Sequence, residues 1–148
     1  MKGSKIALGI LAAFVTRAVL NVVWYGVIRA GASKALVAAH PGLFRETINN
    51  PTPFIVADLL ACIIIVLLLS RVASAFGGGA SAGVKLGIYL GLVGPVLGSI
   101  YQYFAFAFMT PTAAIVDGAY QVVAYAIVGG VAGAVLAHGT GKARAASA

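Results

Sequence analysis

The sequence predicts an all-α integral membrane protein, an antiparallel four-helix bundle, because its composition is apolar and its apolar residues form four long segments. Of 148 residues, 61% are hydrophobic and only 9% are charged, whereas soluble domains contain about 25% charged residues. The mean hydropathy is +1.04. The apolar segments are continuous rather than alternating, which favours membrane-spanning helices over the strands of an outer-membrane barrel.

Each apolar segment is long enough to cross a bilayer as a helix, which takes about 20 residues. We predict one transmembrane domain, residues 1–148, with spans at about 6–28, 54–72, 86–109 and 113–137.

The connections between the spans differ in length. Only a few residues around Thr110 separate spans three and four, so these spans should be antiparallel neighbours. The long connection after span one contains an alanine-rich stretch, Ala30–Ala39, that predicts a short interfacial helix. The triplet Gly77, Gly78 and Gly79 predicts a flexible connector before span three, and no Lys-Ser or Lys-Thr follows it at the spacing of a phosphate-binding loop.

The net charge of +7 has a membrane interpretation. Basic residues collect in short cytoplasmic loops and face anionic headgroups, so the lipid bilayer is the predicted partner and nucleic acid is not. With the N-terminus inside, six basic residues flank the spans on the cytoplasmic side and three on the outer side. The inner six are Lys2, Lys5, Arg71, Lys85, Lys142 and Arg144, and the outer three are Arg29, Lys34 and Arg45. This count predicts an inner (plasma) membrane protein with both termini in the cytoplasm.

Glycines at steps of about four residues mark the third span, and span four has a smaller set. This spacing leaves one helix face bare, so a second helix can approach to backbone contact. Within span three, Pro95 offers the alternative of a hinge. The predicted packing glycines, within one chain or between subunits of a homo-oligomer, are Gly83, Gly87, Gly91, Gly94, Gly98, Gly129 and Gly133.

Three charged residues lie inside the predicted spans: Arg17, Asp58 and Asp117. Each costs about 2.5–3.5 kcal/mol at a helix centre, so such residues need a structural or functional reason. Helical rise places the two aspartates at one shallow level near the outer surface and Arg17 deeper. A direct pair between Arg17 and either aspartate would therefore need helix tilt or shifted span boundaries.

Uncharged polar residues continue the same faces, which predicts a polar interior in the outer half of the bundle. One positive and two negative charges would leave a negative charge unmatched, and this favours a bound cation or a proton on one aspartate. The alternative is a structural network that determines which helices meet. The candidate ligand-binding or ion-binding residues are Arg17, Asn21, Asp58, Gln102, Asp117, Tyr120 and Gln121. Trp24 and Tyr25 are interpreted as part of an interfacial aromatic belt.

Metal, cofactor and catalytic sites are not predicted. His40 and His138 fall at opposite ends of the bundle, and neither has a second ligand at metal-binding spacing. The chain has no nucleophile elbow and no zinc-protease motif, so an enzyme is not the expected class.

Two short motifs carry a resemblance: Trp24-Tyr25-Gly26 at the end of span one, and Val116-Asp117-Gly118-Ala119-Tyr120 at the start of span four. The chain resembles a family of small four-span bacterial membrane proteins whose function is not established. The resemblance implies a four-helix architecture and no particular activity.

Two functions remain open from the sequence. The first is transport or binding of a cation, a proton or a small polar solute through the polar cluster, which for so short a chain would require a homo-oligomer or a minimal pathway. The second is an accessory or assembly subunit that packs its glycine faces against other subunits of a larger membrane complex.

The predicted orientation can be tested by cysteine labelling in intact cells. A cysteine placed near Gly42 should react with a membrane-impermeant reagent, and one placed near Ser147 should not, because the termini are expected inside. The reverse labelling pattern would show that the orientation is inverted.

Overall fold

The protein is a bundle of helices, as described in a computed structural model that covers residues 3–42, 50–106 and 109–138. Four helical stretches are long and apolar enough to cross a membrane, and no strand occurs in the described ranges. The predicted all-α class is therefore confirmed. The four stretches are Gly3–Ile28, Thr52–Phe76, Gly79–Ala105 and Pro111–Ala137. The basic residues Lys2, Arg45, Lys142 and Arg144 lie outside the described residues, and the orientation stays a prediction.

The first span changes helix type before it ends. It consists of α1, Gly3–Asn21, followed by a π-helical segment, Val22–Ile28. In a π-helix each N–H bonds to the carbonyl five residues earlier, and the N–H of Arg29 donates to the carbonyl of Trp24 at 2.7 Å. Arg29 is therefore held one turn beyond Trp24. The next helix, α2, covers Ala30–Ala39, where the sequence predicted a short helix.

The second span ends in a tight reversal of the chain. Helix α3, Thr52–Val72, continues as a short 3₁₀ helix, Ala73–Phe76. The next three residues are glycines with φ of +92°, +77° and +60°, a region that side chains disfavour and glycine adopts readily. The predicted flexible connector is thus a defined turn of Gly77 and Gly78, with helix starting again at Gly79.

The third span begins earlier than the sequence suggested and is not one regular helix. Helix α4 covers Gly79–Gly91, a second π-helical segment covers Leu92–Val96, and α5 covers Leu97–Ala105. The predicted range of 86–109 therefore starts and ends too late. Hydropathy misplaced the start because the first turns of α4 are rich in glycine, alanine and serine. The change of helix type includes Pro95, which has no N–H to donate and clashes with the preceding turn.

Helix α6, Pro111–Ala137, is the central helix of the bundle. Its start follows from the sequence, because the Thr110 side chain accepts a hydrogen bond from the Ala113 N–H at 3.1 Å and Pro111 occupies the first turn. A third of its most apolar stretch is buried (33%), the largest share among the four spans. At its other end the Lys5 ammonium donates to the His138 carbonyl at 2.8 Å, where a helix terminus attracts positive charge.

Helices α4 and α6 meet backbone to backbone through glycines. A Cβ atom added to Gly83 or Gly87 would overlap the backbone of α6, and one added to Gly129 or Gly133 would overlap the backbone of α4. At Gly91 an added Cβ would lie 2.9 Å from the Cα of Val122. The backbones of α4 and α6 can therefore approach this closely only because glycines, which have no side chain, lie at the contact.

The glycine contact stops at the second π-helical segment. A Cβ added to Gly94 or Gly98 would have nothing within 4 Å, and α5 contacts α6 far less extensively than α4 does. These two glycines therefore do not pack against another helix of the same chain, and the alternative of packing between subunits stays a prediction for them. The π-helical segment Leu92–Val96, which contains Pro95, separates α4 from α5, so α5 does not continue the contact of α4 with α6.

The apolar core occupies the half of the bundle farther from α2. A stripe on α1 at four-residue steps, Gly9, Ala13 and Arg17, is buried and leads from this core to the polar half. Large apolar side chains on the outer faces of the spans, such as those of Leu11, Ile64 and Val123, are exposed and suit contact with lipid. The core consists of Ala13, Cys62, Ile65, Val66, Leu69, Leu86, Val128, Ala132 and Leu136.

Two matched glycine substitutions on the third span test this packing. Gly87→Leu should destabilise the protein by more than the roughly 1–3 kcal/mol of ordinary overpacking, because the new side chain meets α6 backbone. Gly94→Leu should leave thermal stability in detergent nearly unchanged, because it enters open space. Equal melting temperatures for the two variants would contradict the assigned contact.

Candidate functional site

Arg17 lies at the centre of a polar network in the half of the bundle nearer α2. The residue is 7% exposed. Its Nε donates to Asp58 Oδ1 at 3.0 Å and its Nη2 donates to Gln121 Oε1 at 2.8 Å. The guanidinium carbon also lies 5.0 Å from the ring centroid of Tyr125, a cation–π arrangement. One arginine on α1 thus connects α3 with α6.

The direct pair of Arg17 with Asp58 differs from the depths expected from sequence. The long arginine side chain reaches across the contact between the antiparallel helices α1 and α3, and the described spans begin earlier than predicted, at Gly3 and Thr52. Helical rise from approximate boundaries was therefore too coarse to place the two charges.

The second oxygen of Asp58 belongs to the same network. Asn21 Nδ2 donates to Asp58 Oδ2 at 2.5 Å, and Asn21 Oδ1 accepts from the Tyr120 hydroxyl at 2.7 Å. On the other side, Gln121 Nε2 donates to the Tyr25 hydroxyl oxygen at 3.1 Å. We call this set the polar network: Arg17, Asn21, Tyr25, Asp58, Tyr120 and Gln121. Both carboxylate oxygens of Asp58 are engaged within it.

The Arg17 guanidinium is not completely satisfied. Its Nη1 is buried and has no hydrogen-bond partner among the described residues, although the Tyr125 ring faces the group. Buried donors of this kind are uncommon, and the other guanidinium contacts are the bonds of Nε to Asp58 and of Nη2 to Gln121.

Asp117 forms a second, looser group. Its Oδ1 accepts from Trp24 Nε1 at 3.3 Å and lies 3.8 Å from Arg29 Nε. The Trp24 ring stacks on Tyr120, with ring centroids 4.4 Å apart and parallel planes. Oδ2 of Asp117 has no hydrogen-bond partner in the described part of the chain. The Asp117 and Arg29 side chains are each 28% exposed, so the pair is accessible.

Arg29 changes the charge balance that the sequence suggested. It was assigned to an outer loop, leaving one positive and two negative charges in the cluster. The structure pairs Arg29 with Asp117 and Arg17 with Asp58, so the charges balance. The expectation of an unmatched negative charge is wrong. The π turn, closed by the hydrogen bond from the Arg29 N–H to the Trp24 carbonyl, places Arg29 at the end of the first span, close to Asp117.

Trp24 and Tyr25 also have contacts that an aromatic belt does not explain. Trp24 bonds to Asp117, and Tyr25 bonds to Gln121. The sequence held a signal for both, since they follow Arg17 at i+7 and i+8 and so share its helix face. Arg29 had no such signal, because ordinary helical spacing does not hold across a π turn.

A polar cavity of about 240 Å³ lies between the end of the first span, the third span and α6. Asp117, Gln121 and Tyr25 line it on one side, and Ser99 and Gln102 line it on the other. Gln102 is therefore beside the polar network but not in it, and its side chain makes no hydrogen bond to any other described residue. Pro95, Gly98, Met109 and Ala114 complete the lining.

A second cavity, an apolar groove of about 380 Å³, lies between the third span and α6. Ser99 and Ala114 line both the polar cavity and the groove. The remaining groove residues are Leu92, Val96, Ile100, Ile115, Gly118, Ala119 and Val122. Both spaces exist because α5 packs loosely on α6.

Comparison with protein-family models, with curated proteins and with solved structures finds no match for this chain. The resemblance to the four-span bacterial family stays a prediction. Among the described residues, no three histidine, cysteine, aspartate or glutamate side chains are grouped as a metal site would require.

The buried ion pair can be tested with single and paired substitutions. Arg17→Ala should destabilise the protein by up to about 3–5 kcal/mol, because Asp58, whose side chain is only 20% exposed, is left without its cation. The double substitution Arg17→Met with Asp58→Leu should recover much of that loss, since no uncompensated charge remains. The measurement is thermal or chemical unfolding in detergent.

Arg29→Ala provides the matched arginine control. Its partner is partly exposed and 3.8 Å away, so the substitution should cost about 1 kcal/mol or less. Equal losses in Arg17→Ala and Arg29→Ala would contradict the different burial assigned to the two pairs.

Proposed function

We propose that this multi-pass membrane protein binds a small polar solute with a cationic group, and that the binding carboxylate is Asp117. The observation that carries the proposal is the polar cavity, which Asp117 lines with a carboxylate whose Oδ2 has no hydrogen-bond partner among the described residues. Pockets with a few convergent polar groups are the usual sites for small ligands.

The two aspartates have different roles in this proposal. Asp58 accepts hydrogen bonds on both oxygens and pairs with Arg17 at 3.0 Å, so a ligand would have to break the network to reach it. Asp117 lies 3.8 Å from Arg29, beyond hydrogen-bond distance. A ligand ammonium can approach Asp117 at low cost, and the polar network supports the wall of the cavity.

Further groups in the cavity add specificity. The Gln102 amide offers both a donor and an acceptor, and the Tyr25 hydroxyl retains its own proton after accepting from Gln121. A ligand with an ammonium group and a nearby oxygen acceptor matches this set. A bare alkali cation matches it less well, because it cannot donate a hydrogen bond to the carboxylate and amide oxygens that line the cavity.

The size of the cavity limits the ligand. A volume of about 240 Å³ is equivalent to about eight water molecules at roughly 30 Å³ each. It is smaller than the roughly 300–1,000 Å³ of typical drug-binding pockets. The expected occupant is therefore a small amine or a headgroup of similar size.

Binding is favoured over transport by a single chain in this conformation. Beyond the polar network, Val66, Leu69 and Val128 are packed with at most 1% exposure. Arg17 is the one buried polar or charged residue in the described ranges. Transport would need a second conformation or a second subunit, and the accessory-subunit role stays a prediction.

Trp24 is the single tryptophan of the chain and contacts Asp117 directly, so its fluorescence reports on the site. Titration of the detergent-purified protein with ethanolamine or methylammonium should shift or quench the emission in a saturable manner. The physical reason is that the Trp24 N–H donates to the same carboxylate, so an ammonium bound at Asp117 changes the electrostatic surroundings of the indole ring.

Asp117→Asn should abolish the saturable response, because it removes the charge and keeps the size. Ala134→Phe is the control and should retain the response, because Ala134 is exposed on α6 and lines neither the polar cavity nor the groove. A titration without a saturable change in the wild type, or an unchanged response in Asp117→Asn, would refute the proposed site.

A further inference from the structure

The polar cavity and the apolar groove form one amphipathic cleft. Ser99 and Ala114 line both spaces, which lie on either side of the loose contact between α5 and α6. The cavity has a carboxylate, amides and hydroxyl groups, whereas the groove is lined almost entirely by apolar side chains. A ligand that fills both must combine a small polar group with a hydrocarbon chain.

The charges beside the cavity match a zwitterion. Asp117 Oδ1 and Arg29 Nε are 3.8 Å apart, and both side chains are partly exposed. An ammonium can pair with the carboxylate while a phosphate pairs with the guanidinium, for which planar bidentate contacts are favourable. An anionic headgroup without an amine would gain the Arg29 contact and meet repulsion from Asp117.

The groove has the shape and surroundings that suit an acyl chain. Gly118 and Ala119 supply small surfaces on α6, and Ile115 at the rim is 71% exposed. The groove belongs to two spans that are apolar enough to cross a membrane, so it is reached from the bilayer itself. A soluble amine would leave this apolar surface unused.

We propose that the occupant of the cleft is a phospholipid with a zwitterionic amine-phosphate headgroup. The ammonium pairs with Asp117, the phosphate pairs with Arg29, and one acyl chain lies in the groove against Ala119. This inference rests on the proposed function, since it names the ligand of the same cavity. No covalent step is involved.

Native mass spectrometry of the detergent-purified, delipidated full chain tests the inference. The protein is mixed with equal amounts of phosphatidylethanolamine and phosphatidylglycerol that carry identical acyl chains. We expect phosphatidylethanolamine to be retained about tenfold more, which corresponds to about 1.4 kcal/mol. Asp117→Asn should remove the preference, because phosphatidylglycerol no longer meets a carboxylate.

A groove substitution separates chain binding from headgroup binding. Ala119→Phe should fill the groove and reduce retention of both lipids at least several-fold. Ala134→Phe is the matched control, since Ala134 is also exposed on α6 but does not line the groove. It should bind lipid as the wild type does, and melting temperatures show whether each variant is folded.

The outcomes distinguish the lipid from a soluble solute. Equal retention of the two lipids, or full retention by a folded Ala119→Phe variant, would overturn the lipid inference. If phosphoethanolamine without acyl chains still quenches Trp24 in that case, the proposed solute site stands and only its lipid occupant is refuted. If the wild type shows neither a preference for phosphatidylethanolamine nor quenching of Trp24 by phosphoethanolamine, the inference and the proposed function are both refuted.

Discussion

The backbone contact between α4 and α6 is the constraint on which the rest of the structure depends. In a bilayer the apolar surface of one helix gains little by leaving lipid, so close packing must supply the attraction. Glycines such as Gly83 and Gly129 allow the two backbones to touch. This contact makes α6 the central helix, and α1 and α3 pack around it. The contact ends at the π-helical segment around Pro95. Beyond that point α5 packs loosely on α6, and the cleft lies between them.

The polar half of the bundle contains two ion pairs that differ in burial. The pair of Arg17 with Asp58 is short and mostly buried, and it also hydrogen-bonds to Asn21 on α1 and Gln121 on α6. It connects α1 with α3 and α6, and breaking it would leave a charge without its partner in the helix contact. The pair of Arg29 with Asp117 is long and partly exposed. Its length and exposure are the reasons for placing the proposed binding site there.

The two π-helical segments connect these features. The first returns Arg29 to the end of the span, and the second, at Pro95, separates α5 from α6. Short π-helical segments within α-helices often occur at functional sites. Here each one borders the polar cavity, because Tyr25 belongs to the first segment and Pro95 to the second.

The sequence by itself determined the membrane class, the four spans, the short helix α2 and the residue types of the polar cluster, because length, apolarity and charge cost are local properties. It also identified Arg17, Asp58 and Asp117 as the charges that need partners. Which partner each one has was decided only in the tertiary structure. The π turn moved Arg29 to Asp117, and contact with α6 extended α4 back to Gly79 through weakly apolar residues. The Arg29–Asp117 pair and the early start of α4 both depend on contacts between helices that are distant in sequence. Hydropathy and regular helical spacing contain no information about such contacts.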